Sequence, residues 1–270
     1  NENSGRDVRA GAGYPFPENI RKGLVYAMKY MENARVSAQE ALTEDIFSMY
    51  IETEQIAREA KPGQFISVYC QDGATLLPRP ISICEIDGSR LRIVYRVVGK
   101  GTKEFSHYQP GDPIRIMGPL GNGFPLEEAA GKTALVIGGG IGIFPMLEVS
   151  KQLTGQQNIV LGYRDQVFLK EAFEQQGPVY IATEDGSQGV KGNVLDAIRE
   201  ETISGDVIFA CGPAPMLRAV RDYAREQGIE AWISMEEKMA CGIGACLACV
   251  CQSKETDPHI NVHNKRICKD

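Results

Sequence analysis

Residues 237–251 read E-K-M-A-C-G-I-G-A-C-L-A-C-V-C, and one further cysteine, Cys268, follows later in the sequence. Four residues separate Cys241 from Cys246, two separate Cys246 from Cys249, and eighteen lie between Cys249 and Cys268. This C-x4-C-x2-C…C order is that of plant-type [2Fe-2S] sites. Two irons need four thiolates, and a tight loop can supply three of them. Gly242, Gly244, Ala245 and Ala248 keep the loop free of bulk. Backbone N–H groups can then approach the cluster sulfurs and tune the potential.

Three plainer readings compete. Structural zinc sites usually pair their cysteines as two short-spaced knuckles, and only one such pair is present. A disulfide framework needs an oxidising compartment and usually a small secreted chain. Buried free thiols explain single cysteines, not a cluster of them. Cys251 is a fifth nearby thiol and makes the ligand set ambiguous by spacing alone. Strand alternation after Cys249 turns its side chain elsewhere, so Cys251 is assigned a structural role. The expected ligands are Cys241, Cys246, Cys249 and Cys268.

The 270 residues suffice for two domains and a small cluster module. A hydrophobic content of 43% with 24% charged residues is ordinary for a globular protein. The net charge of −6 and the lack of a basic run argue against nucleic acid as a partner. No run of ~18 apolar residues predicts a membrane span, and no signal-peptide pattern opens the sequence. Eight cysteines without an export signal suit a reducing, cytoplasmic setting.

Residues 1–30 are expected to form a disordered, loosely docked or non-native extension, because Gly5, Gly11, Gly13, Pro15 and Pro17 break any periodicity. Met28 and Met31 are the candidate natural starts. Short apolar runs at 46–51, 64–69, 81–86, 91–98 and 113–117, separated by turns, predict a small antiparallel barrel. From Lys132 onward, strands at 133–137, 158–163, 179–183, 207–211 and 231–235 alternate with helices. That pattern predicts a parallel, doubly wound sheet, giving a β plus α/β fold.

On the barrel, Arg79-Pro80-Ile81-Ser82 opens a strand. The arginine can clamp a pyrophosphate, and Ser82 offers a hydroxyl toward a flavin ring nitrogen. Alone the motif is weak. Residues 95–102, Y-R-V-V-G-K-G-T, place a tyrosine and an arginine before a glycine-rich bend, where Gly101 and Thr102 can present backbone N–H groups to phosphate. Residues 117–124, M-G-P-L-G-N-G-F, connect the two domains, either as a flexible linker or as a ligand contact. In the sheet, 138–145, G-G-G-I-G-I-F-P, follows a strand and opens a helix, so Gly140 and Gly142 suit a dinucleotide phosphate. Pro145 departs from G-x-G-x-x-G but suits a first helical turn. Cys211-Gly212-Pro213 follows a later strand at the carboxyl edge, where ligands bind. Arg164 beside Asp165 leaves NAD and NADP both open.

In this order, R-P-x-S, a G-x-G-x-x-P turn and a C-G-P turn resemble the ferredoxin–NAD(P)H reductase superfamily. The cysteine segment, with R-I-C-K-D at 266–270, resembles the electron-transfer subunits of class 1B dihydroorotate dehydrogenases. The resemblance runs from about Met31 to Asp270. It implies FAD held by Arg79, Pro80, Ile81 and Ser82, by Val94, Tyr95 and Arg96, and by Gly101 and Thr102. It implies a [2Fe-2S] cluster on the four cysteines, NAD as the nucleotide, and an FMN-containing catalytic subunit as partner in a heterotetramer. The expected units are an FAD-binding barrel at 31–128, an NAD-binding domain at 129–229 and a cluster module at 230–270. The implied role is electron transfer in pyrimidine biosynthesis. His107, His259 and His263 fall outside the nucleotide turns, so no catalytic acid or base is expected here. Two alternatives share parts of the pattern: the flavin subunit of an NADPH-dependent ferredoxin or sulfur reductase, and a non-redox zinc module.

Overall fold

The computed structural model describes residues 29–254, 256 and 261–270. Most of the expected extension, at 1–28, and His259 lie outside the described residues. Tyr30 instead opens a strand. Six strands, β1 (Tyr30–Ala41), β2 (Ile46–Glu52), β3 (Phe65–Tyr69), β4 (Arg79–Asp87), β5 (Arg90–Arg96) and β6 (Pro113–Leu120), close an antiparallel barrel in the order β1-β2-β5-β4-β3-β6. Two short helices, α1 (Ile56–Glu59) and α2 (Lys100–Phe105), lie between its strands. Inward positions alternate along each strand, as the pleat requires. Met49, Ile51, Ile66, Val68, Ile83, Leu91, Ile93 and Ile116 fill the barrel. The sequence reading missed β1, whose buried Ala34 and Val36 are flanked by outward Asn33 and Arg35.

The second lobe is a six-stranded parallel sheet of β7 (Ala134–Gly139), β8 (Gln157–Tyr163), β9 (Val179–Thr183), β10 (Val190–Lys191), β11 (Val207–Cys211) and β12 (Glu230–Ser234), ordered β10-β9-β8-β7-β11-β12. Helices α3 (Ile143–Gln152), α4 (Lys170–Glu174), α5 (Val194–Glu200) and α6 (Ala214–Gln227) alternate with its strands. By its pairing with β11, β12 is the edge strand of this sheet rather than part of the cluster segment that follows it. A hairpin of β13 (Val250–Gln252) and β14 (Asn264–Arg266) ends the described chain's regular structure.

Barrel and sheet share one core. Ile46, Cys84 and Val94, on the barrel's outer face, pack in one buried cluster with Ile143, Phe144 and Leu147 of α3. Polar groups lock this seat. The buried Glu148 carboxylate accepts the Ile86 N–H at 2.9 Å and the Gln152 amide at 2.7 Å. Glu85 accepts from Lys151 of α3 at 2.9 Å and from Arg92 at 2.6 Å. Arg92 also donates to Ser48 at 2.8 Å.

Burial pushes the Glu85 carboxyl up, but the bonds from Arg92 and Lys151 outweigh it and hold the group below its ordinary 4.5. A carboxyl lowered on folding stabilises above its unfolded value, and that stability is lost as pH falls through the folded value. Glu85→Gln is therefore expected to cost about 1.5–3 kcal/mol at pH 7, the worth of hydrogen bonds to a charged group. Urea titrations should show the gap to wild type narrowing as the pH drops below 4.5.

Candidate functional site

The chain order reverses at β7, which has β8 on one side and β11 on the other. Ligands of open α/β sheets bind outside the carboxyl ends of strands at such a point. Two turns meet there. After β7, Gly140 takes a left-handed φ of 55° and leads through Gly142 into α3. After β11 comes Cys211-Gly212-Pro213. A Cβ on Gly142 would lie 2.5 Å from the Cys211 carbonyl and from the Gly212 nitrogen. Any side chain at Gly142 would therefore drive the turns apart. Cys211 is buried, which raises its thiol pKa to about 12 and keeps it protonated. It thus acts as packing beneath the turns. At the end of β8, Glu184 N–H bonds the carbonyls of both Tyr163 and Arg164. Ser187 Oγ donates to the Asp165 carbonyl at 3.2 Å, leaving both rim side chains, Arg164 and Asp165, exposed.

Between the lobes runs a cleft of about 1050 Å³. That is at the top of the usual range for ligand sites, roughly 300–1,000 Å³. One wall is the barrel: Arg79, Pro80, Ile81 and Ser82 from β4, Val94, Tyr95 and Arg96 from β5, and Thr102 from α2. The opposite wall includes Gly140, Phe144 and Trp232. Met239, Cys251 and Ile267, flanking the cysteine ligands, line the third side. Gly101, Gly142, Cys211 and Gly212 do not line the cleft but shape its walls. A Cβ on Gly101 would sit 2.7 Å from Arg79 Nε, so the bare backbone there makes room for the guanidinium. Arg79 Nη1 donates to the Leu77 carbonyl at 2.6 Å, which aims the side chain. Thr102 spends its hydroxyl at the start of α2, accepting from Val98 and Gly99 N–H at 2.9 and 3.2 Å. The Tyr95 hydroxyl is also spent, donating to Gln39 in the barrel at 3.0 Å. Tyr95 therefore meets the cleft along its strand rather than with its phenol.

Pattern reading of the sequence did not single out Trp232, which comes from β12, while Phe124 closes the connector it read as either linker or ligand contact. Among the described residues, the buried side-chain donors without a hydrogen-bond partner are Arg96 Nε and Trp232 Nε1, and both residues border this cleft. Arg96 Nε does lie 3.2 Å from Asp45 as an ion pair. A cleft walled by an aimed arginine, flat strand backbone and aromatic rings fits a flavin dinucleotide. The connector at 117–124 contributes Gly121, Asn122, Gly123 and Phe124 to its lining, so it is a wall of the cleft.

The four predicted thiols fall into two pairs. Cys249 and Cys268 are fully buried, with their sulfurs 3.3 Å apart. Cys241 and Cys246 are half-buried, and Cys241 Sγ accepts the N–H groups of Cys246 at 3.3 Å and of Ile243 at 3.5 Å. Burial pushes the Cys241 thiol up, but these N–H bonds prevail and bring it down to about 6. Burial and the adjacent Cys249 push Cys268 up to about 11. Two thiol pairs, with backbone N–H groups aimed at sulfur, fit two irons. Left-handed Gly242 lets the loop lie on the barrel, where a Cβ would be 3.1 Å from Leu120 and 3.2 Å from Ser67 Oγ. Cys251, set aside from the ligands, lies on β13 with its residue bordering the cleft.

Residues 236–270 match the family model of the iron-sulfur cluster binding domain of dihydroorotate dehydrogenase B. The dihydroorotate dehydrogenase B (NAD(+)) electron transfer subunit of Bacillus cereus (strain B4264) is 42% identical over 252 residues, covering 90% of this chain and 96% of that protein. The protein of the same name from Caldanaerobacter subterraneus subsp. tengcongensis is 39% identical over 244 residues, with coverage of 90% and 96%. Among solved structures, an NADH-dependent reduced ferredoxin-NADP oxidoreductase superposes with a TM-score of 0.78 at 28% identity, over 88% of this chain and 86% of that one. A ferredoxin reductase in carbazole 1,9a-dioxygenase shares the fold, with a TM-score of 0.61 at 19% identity over 76% and 69%.

Two outcomes follow from this geometry. Serine at Cys241, Cys246, Cys249 or Cys268 is expected to lose iron and sulfide by chemical assay, whereas Cys251→Ser retains both. Gly142→Ala is expected to destabilise by about 1–3 kcal/mol, as overpacking does. It should also raise the KM for NADH, measured with an artificial electron acceptor.

Proposed function

The chain belongs to the family of electron transfer subunits of dihydroorotate dehydrogenase B (NAD(+)), and on that premise we propose that it carries electrons from a dihydroorotate-oxidising catalytic subunit to NAD+ by way of a [2Fe-2S] cluster and FAD. The observation that carries this reading is the cleft on which all three parts of the chain border: the barrel with its arginine clamp, the sheet with its glycine turns, and the cysteine segment. When bound, FAD exchanges a hydride with a nicotinamide on one side and single electrons with a cluster on the other.

The protein's own groups hold and separate these partners. Arg79 neutralises the FAD pyrophosphate, while the strand backbone at Val94, Tyr95 and Arg96 and the Ser82 hydroxyl orient the ring. Gly140 and Gly142 admit the pyridine nucleotide's phosphates at the mouth of α3, over the Cys211-Gly212 turn. Cys241, Cys246, Cys249 and Cys268 bind the cluster. Three working units are proposed: the barrel, the sheet domain and the cluster segment. The partner's cofactor is proposed to be FMN, because the catalytic subunit must take two electrons from a carbon acid and release them singly. Residues 236–270 match a dihydroorotate dehydrogenase B family, and relatives near 40% identity carry its name. Both support this reading over the ferredoxin-reductase and zinc alternatives.

The test separates the chain from its complex. Alone, the protein should pass electrons from NADH to a dye but leave dihydroorotate untouched. Adding an FMN-containing catalytic subunit should create NAD-linked dihydroorotate oxidation, and Cys246→Ser should abolish it. Orotate production by this chain alone, or coupling that survives in Cys246→Ser, would overturn the proposed path.

A further inference from the structure

The cysteine ligands sit on two separate segments, the loop after β12 and the turn after β14, and something must hold these in register. Arg266 does so directly. Its Nη1 donates to the Gly244 carbonyl at 3.0 Å, in the loop between Cys241 and Cys246. Its Nε and Nη2 grip the two Asp270 carboxylate oxygens, each at 2.8 Å, and the Asp270 carboxylate also accepts the Arg266 backbone N–H at 2.8 Å. This is the fork-on-fork geometry that makes arginine–carboxylate pairs strong and directional. Both side chains are largely covered, each 21% exposed. The loop and the turn touch closely beside this pair: a Cβ on Gly244, whose φ is 80°, would lie 2.4 Å from the Lys269 side chain.

The same turn is tied to the flavin side. Asn122 Nδ2 donates to the Asp270 carbonyl at 3.0 Å, and both Asn122 and Asp270 border the cleft. One run of hydrogen bonds thus spans the cleft wall, the turn that carries Cys268 and the loop that carries Cys241 and Cys246.

We propose that Arg266 and Asp270 are a positioning pair for electron transfer: they fix the cluster segment against the cleft, and their opposed charges set the cluster's potential. The proposal rests on the [2Fe-2S] and FAD reading given above. Its electrostatic half has a signature that a purely mechanical clamp lacks. Reduction adds negative charge to the cluster, so a nearby cation favours the reduced form and a nearby anion opposes it. Removing the arginine takes away a cation and lowers the potential. Removing the carboxylate takes away an anion and raises it. A clamp without electrostatic influence would loosen the same contacts in both variants and shift both in one direction.

The experiment is an EPR-monitored redox titration of the cluster in the full-length, FAD-loaded protein, with iron release to a chelator as a second readout. Arg266→Gln is expected to lower the midpoint potential and Asp270→Asn to raise it, and both should release iron several-fold faster than wild type. Wild-type potentials in both variants, or shifts of one sign, overturn the proposal. Should Arg266→Gln purify without a cluster, Asp270→Asn and Arg266→Lys decide. The first must then be raised and the second, which keeps the charge without the fork, unchanged, and any other pair of results overturns the proposal. A wild-type protein with no [2Fe-2S] signal would overturn the functional reading and this proposal together. Cluster-loaded variants that fail the sign test overturn this proposal alone.

Discussion

The seating of α3 on the barrel is the constraint on which the rest of the structure depends. Its apolar face enters a core that already contains Ile46, Cys84 and Val94 of the barrel. Glu148 and Lys151, on the same helix, then bond Ile86 and Glu85. Because α3 begins at the Gly140–Gly142 turn, this one seat fixes where the nucleotide turn stands relative to the barrel wall. The cleft width follows. Domains joined by small polar contacts move freely, but a large apolar junction resists it. Here the junction is a single buried cluster, so it resists opening of the lobes.

A flavin between two carriers needs an electron path on one face and a hydride path on the other. On the proposed reading, the fold supplies this by ordering three walls around one space. The barrel contributes charge and flat backbone, the sheet contributes the bare glycine turns, and the cysteine segment contributes Met239, Cys251 and Ile267 as the surface nearest its ligands. The buried pair, Cys249 and Cys268, flanks the hairpin of β13 and β14, whose Cys251 and Lys265 border the cleft. Ile243 and Leu247, next to the half-buried pair, face solvent. The two pairs of thiols therefore stand in different dielectric surroundings.

How much of this was legible in the sequence depended on range. The cysteine order was legible because three of the proposed ligands fall within nine residues and cluster chemistry demands that spacing. The R-P-I-S strand and the glycine turn were legible as structure because each carries a backbone constraint in a few consecutive residues. The strand β1 was not, because Glu32, Asn33 and Arg35 mask an inward face of only Ala34 and Val36. Trp232 was not, because it meets the cleft only once β12 is folded beside it. Alternation after Cys249 correctly implied a strand carrying Cys251, but a two-residue period says which face a side chain takes and not what lies there. The Arg266–Asp270 pair was also beyond the pattern, since its meaning comes from Gly244, twenty-two residues upstream.

The contact between the glycine turns has a consequence for how the nucleotide site can be altered. Gly139, Gly142 and Gly212 each have a neighbour within 2.5 Å of where a Cβ would stand, in two cases the tip of Met216 and in one the opposing backbone. Arg164 and Asp165, at the end of β8, are both exposed. The flexible end of Met216 can move aside, so the tight point is Gly142 against the Cys211-Gly212 backbone, whereas the rim is open. If these turns hold the pyridine nucleotide as proposed, redesign of cofactor preference has its freedom at the rim. A side chain at Gly142 would press the two turns apart, whereas new side chains at residues 164 and 165 would meet solvent.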